Sequence, residues 1–570
     1  MSMNFYDFEV FKRDWLVVIQ NPIEHSETVI VNDKAMLEDY YNRHKDEIWI
    51  GFNTKHYDQY ILKGILLDFD PYDISKFIIR GGHDGWEYSR AFNSIQLYNY
   101  DIMSNIDRGL KFFEGSLGNS IEESSVPFDI NRKLTDAEIG ETVKYCRHDV
   151  EQAMEVFLIR KDDFDAQMGL LKMFNLPLSY ISKTKVQLSA AILEAEKRMC
   201  TDEFEISFPE TLKLEKYAFV KKWYEDKGNR DYTKSLDVEV AGVPHSFGWG
   251  GVHGAKEKYI SDGYFINMDV SSLYPSLMIR YDLISRACNG TKFKDIVDLR
   301  LKYKAEKNPL QAPLKIVING TYGAMKDRNN PLYDPLMANN VCVYGQLLLL
   351  DLIEHLEPYC EIVQSNTDGV LIRKPDSIKN IDKFYELIDD IAYEWEQRTG
   401  LNLEFDEYMK VIQKDVNNYI VVADDGHWKS KGAYVKKLGK LDYDLPIVNK
   451  AVTDYFLKGV DPTITIMNCN DLKEFQQVKK IGAKYSTLLH GDNPLNEKCV
   501  RCFASKNERD GGLSKIHVNT GKSAKLEGTP EHCFLVNGDV NEAKVDGRLD
   551  KKWYIGVANK RIESFVGGTK

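Results

Sequence analysis

The chain has 570 residues, too many for one hydrophobic core, so we expect several domains. Its net charge of −12 disfavours a protein whose whole surface binds phosphate, although acidic cation sites beside a basic stripe remain compatible with nucleic acid. The odd number of cysteines, nine, indicates reduced thiols rather than a disulfide framework. We expect no apolar run of membrane-spanning length, and therefore a cytoplasmic protein without a membrane partner.

The N-terminal part of the chain carries acidic side chains at points where predicted elements begin or end. Residues 3–10 are predicted as a strand, whose alternation places Asp7 and Glu9 on one face. A short apolar strand follows, then Asn53, and Asp58 opens a predicted helix. Taken alone, each of these acidic groups is typical of a solvated surface.

A third acidic element is the helical pattern ETVKYCRHDVEQAMEVF, which places Tyr145 and Asp149 four residues apart on one face. Four carboxylates can bind two divalent ions, and a phenol can position the water that attacks a phosphodiester. The order D-x-E, N-x4-D, Y-x3-D resembles the DEDDy class of 3′–5′ exonucleases, the proofreading domains of many DNA polymerases. The resemblance implies a ribonuclease-H-like domain over residues 1–165, in which Tyr145 orients the water and Asn53 contacts the DNA strand. It implies as metal ligands Asp7, Glu9, Asp58 and Asp149.

Residues 166–290 are predicted as a linker and the first part of the next domain. The pattern KTKVQLSAAILEAEKRM predicts an amphipathic helix. Residues 247–254, FGWGGVHG, contain four glycines, which allow the backbone to approach a ligand closely. This segment resembles the aromatic-x-Gly-Gly element that joins the exonuclease and polymerase domains of family B DNA polymerases. The resemblance implies that Gly250 and Gly251 contact the template strand, with Trp249 where arginine is more usual.

The stretch YFINMDVSSLYPS predicts a buried strand that ends at Asp269, a tight turn and a helix. Far downstream, CEIVQSNTDGVLIRK predicts a hairpin with Asp368 in its turn. Carboxylates on adjacent strands can hold two divalent ions for phosphoryl transfer. D-x-x-S-L-Y-P-S resembles the first polymerase motif of family B, and N-T-D-G resembles the third, with Asn366 in place of aspartate. The resemblance implies Asp269, Val270 and Asp368 as metal ligands, Tyr274 as the steric gate against ribonucleotides, and Ser272 and Leu273 beside the nucleotide.

Residues 291–326 are predicted as two antiparallel helices that separate at Asn308 and Pro309. Arg300 and Lys304 share a face of the first helix, where a solvated surface is the alternative to a triphosphate site. K-x3-N-x2-Y-G resembles the second polymerase motif of family B, in the fingers domain. The nucleotide-binding residues that it implies are Lys315, Asn319 and Tyr322. Gly320 inside this helix costs about 1 kcal/mol relative to alanine, which indicates a close packing contact.

The remaining chain is predicted as the second part of the palm, residues 327–428, and a thumb and C-terminal region, residues 429–570. VIQKDVNNYIVV resembles the element that holds the primer terminus and implies Tyr419 as the contact. A stripe of lysines follows, and the thumb-like context implies that Lys431 contacts phosphate. Cys499 and Cys502 are spaced too far from later histidines to indicate a zinc site.

The sequence thus predicts an α/β multidomain protein with a ribonuclease-H-like exonuclease followed by a right-hand polymerase of palm, fingers and thumb. It resembles compact bacteriophage enzymes of family B, which implies replication of phage DNA in the host cytoplasm. The implied cofactors are two Mg²⁺ ions per active site, with Mn²⁺ as a substitute. The implied partners are primer–template DNA, dNTPs and replication accessory proteins. Two alternatives stay open: an exonuclease with a polymerase site disabled at Asn366, and a non-catalytic primer–template-binding protein.

Overall fold

The computed structural model describes residues 2–103 and 108–567. Its packing divides the chain into two compact units. The first unit consists of Met1–Thr184, Leu438–Val448 and Thr463–Ile555. The second consists of Lys185–Lys437, Asn449–Pro462 and Gly556–Lys570.

The N-terminal part of the first unit is built on one mixed sheet. Its strands are β1 (Met3–Val10), β2 (Trp15–Asn21), β3 (Ser26–Val31), β4 (Ile48–Gly51) and β5 (Tyr98–Asp101). Its helices are α1 (Lys34–His44), α2 (Asp58–Leu66), α3 (Pro71–Ile79), α4 (Leu110–Leu117), α5 (Asp136–Ile159) and α6 (Lys161–Met173). The strand order is β3-β2-β1-β4-β5, with β1 antiparallel to β2 and parallel to β4.

Strand β1 confirms the predicted alternation. Tyr6 and Phe8 enter the core that includes residues of α1, α2 and α3. On the other face, Phe5 contacts Phe157 of α5 with ring centroids 5.2 Å apart. Asp7 therefore points toward α5, and Glu9 lies on the same face two residues later.

The second unit contains a nine-stranded sheet in the order β14-β13-β12-β9-β11-β10-β8-β7-β6, with every pairing antiparallel. The strands are β6 (Ser235–Val240), β7 (Val243–Gly248), β8 (His253–Ala255), β9 (Tyr259–Val270), β10 (Glu361–Asn366), β11 (Gly369–Arg373), β12 (Leu403–Asp415), β13 (Asn418–Val422) and β14 (Trp428–Lys431). The helices are α7 (Lys185–Ile192), α8 (Ala218–Glu225), α9 (Leu273–Arg280), α10 (Gly290–Ala305), α11 (Gln311–Lys326), α12 (Pro335–Leu356) and α13 (Ile381–Thr399).

Helix α7 is shorter than the helix predicted over the same segment. Its chain leaves the helix at Glu194, which has a φ of 54°. The amide of Glu196 then donates to the carbonyl of Ala287 at 2.9 Å, so a tertiary contact replaces the next helical turn. The close packing predicted at Gly320 is confirmed, because a Cβ there would lie 2.5 Å from Oγ of Ser189 on α7.

The expectation that no apolar segment has membrane-spanning length is wrong, if segments are judged by length and composition alone. Among the described residues, helix α12 is long and apolar enough, with a mean hydropathy of 1.5 over its most apolar window. However, 94% of that window is buried inside the protein, as is typical of a core helix, so the evidence for a membrane span is weak. Asp351 on this helix is paired with Arg398 of α13, with N–O distances of 2.8 and 2.9 Å.

The predicted C-terminal region, residues 429–570, divides between the two units. Its elements after β14 are α14 (Pro446–Lys458), α15 (Pro462–Asn468), β15 (Gln477–Lys480), β16 (Tyr485–His490), β17 (Asn493–Leu495), β18 (Cys499–Ala504), β19 (Leu513–His517), β20 (Ser523–Lys525), β21 (Cys533–Leu535) and α16 (Lys551–Val566). The strands form two small sheets, β15-β18-β21 and β17-β16-β19-β20. The mixed α/β, multidomain class is confirmed, whereas the ribonuclease-H-like and right-hand assignments stay predictions.

Within the first unit, the C-terminal segment 463–555 is hydrogen-bonded to the end of α4. The fully buried guanidinium of Arg501 donates to the carbonyls of Gly115 at 3.1 Å and Asn119 at 2.6 Å. The side-chain amide of Gln476 donates to the carbonyl of Ser116 at 3.1 Å. Gly118, with a φ of 87°, caps the end of α4, and these donors bind further carbonyls at and just beyond that end.

Replacing Arg501 by methionine removes the buried donors and keeps much of the side-chain volume. Each buried carbonyl left unpaired costs about 1–3 kcal/mol. We therefore expect amide hydrogen exchange in α4 and β18 to accelerate by about tenfold for each 1.4 kcal/mol lost, measured by mass spectrometry on the full chain. The exposed Arg509→Met is the control, and equal exchange of α4 in the two variants would contradict the assigned role.

Candidate functional site

The first candidate site lies in the second unit, where Asp269 is the last residue but one of the interior strand β9. In the registers of the neighbouring strands, Asp269 pairs with Gly369 of β11 and Glu404 of β12. Asp368 occupies the turn between β10 and β11, as the hairpin prediction requires. The amide of Val270 donates to the carbonyl of Asp368 at 2.7 Å, so the two predicted metal-binding segments are adjacent.

These carboxylates fit a divalent cation. Burial and the nearby charge of Asp368 raise the pKa of Asp269 to about 6, although the amide of Asn267 donates to its carboxylate at 2.7 Å. A cation between the two groups would relieve this repulsion. The side chain of Val270 is a hydrocarbon without donor atoms, so only its backbone carbonyl can serve as a ligand. A Cβ at Gly369 would lie 1.8 Å from Oδ1 of Asp269, so glycine is required beside this carboxylate.

A cleft of about 430 Å³ opens in front of the two carboxylates. It is lined by most of the residues predicted to bind nucleotide, namely Ser272, Leu273, Tyr274, Arg300, Lys304, Lys315 and Asn319. Three cations from α10 and α11 thus line the same cleft as the carboxylates of Asp269 and Asp368. This arrangement suits a polyphosphate bound through divalent ions.

Three details of the cleft were not predicted. Ser272 has a φ of 50°, a strained conformation that costs about 1–3 kcal/mol and is typical of functional turns. Glu404 also lines the cleft, 3.8 Å from Nζ of Lys304. Tyr322, predicted to contact the nucleotide, does not line the cleft, and its ring packs 4.4 Å from that of Tyr274 instead. Only the strand register, which the sequence does not give, brings Glu404 beside Asp269.

The glycine pair next to Trp249 lies against the turn that carries Asp368. A Cβ at Gly251 would be 2.5 Å from Oγ1 of Thr367, while the carbonyl of Gly250 accepts from the side-chain amide of Gln346 at 2.7 Å. Trp249 is buried. Packing therefore explains Gly251 and Trp249 without a ligand, and the template contact stays a prediction.

Asn366 has a local role in this turn, since its side-chain oxygen accepts from the amide of Thr367 at 3.0 Å. Although asparagine stands at position 366 where the resembling motif has aspartate, the carboxylate of Asp368 still lines the cleft.

Tyr419 on β13 pairs across strands with Lys431 on β14, which is exposed. Burial, then the charge of Asp269, raises the pKa of Tyr419, so its hydroxyl stays protonated beside the carboxylates.

The second candidate site lies in the first unit. Ligand atoms of Asp7, Glu9 and Cys146 lie within 4.8 Å of one another, and the thiol of Cys146 donates to the Asp7 carbonyl at 3.2 Å. Asp58, at the start of α2, accepts from the amide of Phe8 at 3.1 Å. Asp149 lies on α5, and its charge acts on both Asp7 and Glu9. Of the four predicted ligands, Asp7 and Glu9 therefore share one group of ligand atoms, and the charges of Asp58 and Asp149 act on both.

Burial dominates the electrostatics of this cluster. Burial and the neighbouring carboxylates raise the pKa values of Asp7 and Glu9 well above their usual range. Burial likewise raises the pKa of Asp58 to about 7 and that of Asp149 to about 6. Groups that repel one another in this way fit a divalent cation, which would lower all four pKa values together.

Lys111 on α4 is the main residue of this site that the sequence did not indicate. Its ammonium group forms an ion pair with Asp149 and another with Glu114 at 3.2 Å. It also lies 4.6 Å from the ring centre of Tyr145. Burial opposes the charge, but the two carboxylates raise the pKa of Lys111, so it stays charged. A lysine in an otherwise apolar helical pattern carries no signal of such a role.

A separate group of possible ligands is formed by Glu114, His148 and Asp149. Lys111 already forms ion pairs with two members of this group, Glu114 and Asp149.

Asn53, predicted to contact DNA, has a φ of 65°, and its backbone amide donates to the carboxylate of Asp101 at 2.9 Å. That bond holds the loop between β4 and α2 in place.

No protein-family model matches the sequence. The chain is similar to archaeal proteins named DNA polymerase 1: it is 25% identical to that of Sulfolobus acidocaldarius over 233 residues and 26% identical to that of Saccharolobus solfataricus over 298 residues. These matches cover 40% and 43% of this chain, and 24% and 32% of the relatives. The chain therefore spans about a quarter to a third of the relatives it matches.

A solved family B DNA polymerase from Pyrobaculum calidifontis aligns with 100% of this chain and 79% of its own, at 14% identity and a TM-score of 0.43. All three of these proteins are archaeal, and the bacteriophage type stays a prediction.

Replacing Gly369 by alanine tests the cation site on β9. The new Cβ would displace the carboxylate of Asp269 without removing it, and displaced supporting groups typically weaken metal binding about 10–100-fold. We expect that loss in a Mn²⁺ titration followed by electron paramagnetic resonance, performed in an Asp7→Ala background. Gly556→Ala, whose Cβ would meet no atom within 4 Å, is the control. Equal Mn²⁺ affinities would refute the site.

Proposed function

We propose that this chain is a template-directed DNA polymerase of the family B type with a separate 3′–5′ exonuclease site. The observation that carries the proposal is the cleft of about 430 Å³ that gathers Asp269 and Asp368 with Arg300, Lys304 and Lys315. The similarity to archaeal DNA polymerases over about 40% of the chain supports the same activity. The substrates are primer–template DNA and dNTPs.

In the proposed polymerase site, the three cations bind the triphosphate and stabilise the negative charge that develops on the leaving pyrophosphate. When bound, two Mg²⁺ ions would activate the primer hydroxyl and neutralise the phosphates. Asp269, Asp368 and the carbonyl of Val270 would hold them. The ring of Tyr274, supported by Tyr322, packs under the sugar and excludes a 2′-hydroxyl.

In the proposed exonuclease site, Asp7, Glu9, Asp58 and Asp149 would hold a second pair of divalent ions. Burial raises the pKa of Tyr145, so its phenol keeps its proton and can orient a water by a hydrogen bond. Lys111 keeps Asp149 ionised and fixes its orientation. We assign Lys111 to positioning because its ammonium group already binds two carboxylates.

Alanine substitutions at Asp368 and Asp7 separate the two activities. Loss of about 4 kcal/mol of charge stabilisation lowers a rate about a thousandfold. We expect Asp368→Ala to lose primer extension by that factor and to keep terminal degradation, and Asp7→Ala to do the reverse. The measurement is a gel assay with labelled primer–template DNA, Mg²⁺ and dNTPs.

The exposed Asp376→Ala and Asp39→Ala are matched controls for the two units. If the wild type degrades a primer but never extends it, the exonuclease-only alternative is correct. If it does neither while binding primer–template DNA, the non-catalytic alternative is correct.

Replacing Tyr274 by valine tests the steric gate. Forcing extra atoms into a packed site costs about 1–3 kcal/mol. We therefore expect the efficiency of ribonucleotide insertion, relative to the matching dNTP, to rise about 5- to 150-fold. Single-nucleotide insertion kinetics measure this ratio, and Tyr393→Val, at a residue with 60% exposure, is the control. An unchanged ratio would remove Tyr274 from sugar selection.

A further inference from the structure

A hydrogen-bonded group of side chains lies behind the ring of Tyr274. That ring packs 4.4 Å from the ring of Tyr322 on α11, and the hydroxyl of Tyr322 is hydrogen-bonded to the thiol of Cys342 on α12. Cys342 is 1% exposed and does not line the cleft of about 430 Å³. One intermediate ring thus connects the tyrosine in the cleft to a buried thiol outside it.

The sulfur of Cys342 is the hydrogen-bond acceptor of this group. The ammonium group of Lys326 carries only donors, and it lies 3.5 Å from the sulfur. It also lies 5.1 Å from the ring centre of Tyr322. Burial and then Cys342 raise the pKa of Tyr322, so its hydroxyl keeps its proton and can donate to the sulfur. Two donors from α11 therefore meet one acceptor from α12.

Helix α12 also supports the helix that carries Tyr274. A Cβ at Gly345 would lie 3.4 Å from Cδ2 of Leu273 on α9, so the two helices pack closely there. Gly345 lies three residues after Cys342, and residues with this spacing share a face of a helix. One face of α12 therefore contacts both α9 and Tyr322, the two supports of the Tyr274 ring.

We propose that Cys342 is a positioning residue for sugar selection, because its sulfur fixes Tyr322 and Tyr322 in turn fixes the ring of Tyr274. The proposal rests on the polymerase function proposed above and deepens it. A ring excludes a 2′-hydroxyl only if it cannot shift away from the sugar. Without the sulfur, the hydroxyl of Tyr322 loses its acceptor and gains space, so the ring that supports Tyr274 becomes free to move.

The first test replaces Cys342 by alanine and by serine. Alanine removes the acceptor, whereas the serine hydroxyl keeps one at nearly the same position. We expect the efficiency of ribonucleotide insertion, relative to the matching dNTP, to rise about fivefold in Cys342→Ala, the effect of one lost hydrogen bond. In Cys342→Ser the ratio should stay close to that of the wild type. Single-nucleotide insertion kinetics on primer–template DNA with Mg²⁺ measure it.

The ratio of the two insertion efficiencies separates positioning from a loss of folding, because misfolded enzyme lowers both insertions equally. Cys360→Ala is the control, since it removes another thiol of the same unit, one that donates to the carbonyl of Leu356 outside the cleft lining. We expect the wild-type ratio in this variant.

The second test is a double-mutant cycle with Tyr322→Phe, which keeps the ring and removes the hydroxyl. If the hydrogen bond to the sulfur carries the effect, Cys342→Ala raises the ratio in the wild-type background only. In the Tyr322→Phe background the same substitution should leave the ratio nearly unchanged, because residues that act through one contact are not additive.

The outcomes separate this proposal from the polymerase function. If Cys342→Ala keeps the wild-type ratio, or if serine relaxes selection as much as alanine, Cys342 has no positioning role and the polymerase stands. If Cys342→Ala raises the ratio equally in both backgrounds, the effect does not pass through the hydroxyl of Tyr322, and the proposal is again wrong. If the wild type inserts neither nucleotide, the polymerase itself is refuted, and the positioning role with it.

Discussion

The structure depends on holding carboxylates together against their mutual repulsion. Asp269 sits between two hydrogen-bonded neighbours, β11 and β12, and the glycine opposite it leaves room for its carboxylate. Burial and Asp368 raise its pKa to about 6, so the site stores electrostatic free energy that a bound cation would release. A sheet can hold this arrangement because its backbone hydrogen bonds, and not the side chains, determine where the carboxylates lie.

In the first unit, a positively charged side chain partly compensates the repulsion between carboxylates. Its acidic cluster joins a strand, the start of α2 and the middle of α5, and Lys111 supplies a positive charge to Asp149 and Glu114. Helix α4, which carries Lys111, is in turn fixed by donors from Gln476 and Arg501. The C-terminal segment therefore supports the acidic cluster through one short helix. Truncation of the chain before this segment would expose the last carbonyls of α4.

Strained and tightly packed positions lie at the candidate sites. Asn53 and Ser272 both have positive φ values, and each lies between a strand and the following helix at a candidate site. Gly251 and Gly369 each allow a close approach of a neighbouring side chain that a Cβ would block. Strained backbone conformations persist where the surrounding structure fixes them, and they are common at functional sites. Gly369 therefore marks the cation site as directly as the charged residues do, whereas packing alone accounts for Gly251.

The sequence by itself determined the strand that carries Asp269, the hairpin turn that carries Asp368, the paired helices with Arg300 and Lys315, and the acidic positions from Asp7 to Asp149. These follow from local periodicity and spacing, which the chain keeps in any fold. Only the tertiary structure decided the positions of Lys111 and Glu404, because the packing of α4 and the register of β12 against β9 bring them to their sites. It also ended α7 early, where Glu196 bonds to Ala287. Contacts between residues far apart in the chain leave no periodic signal, so they cannot be read from the sequence.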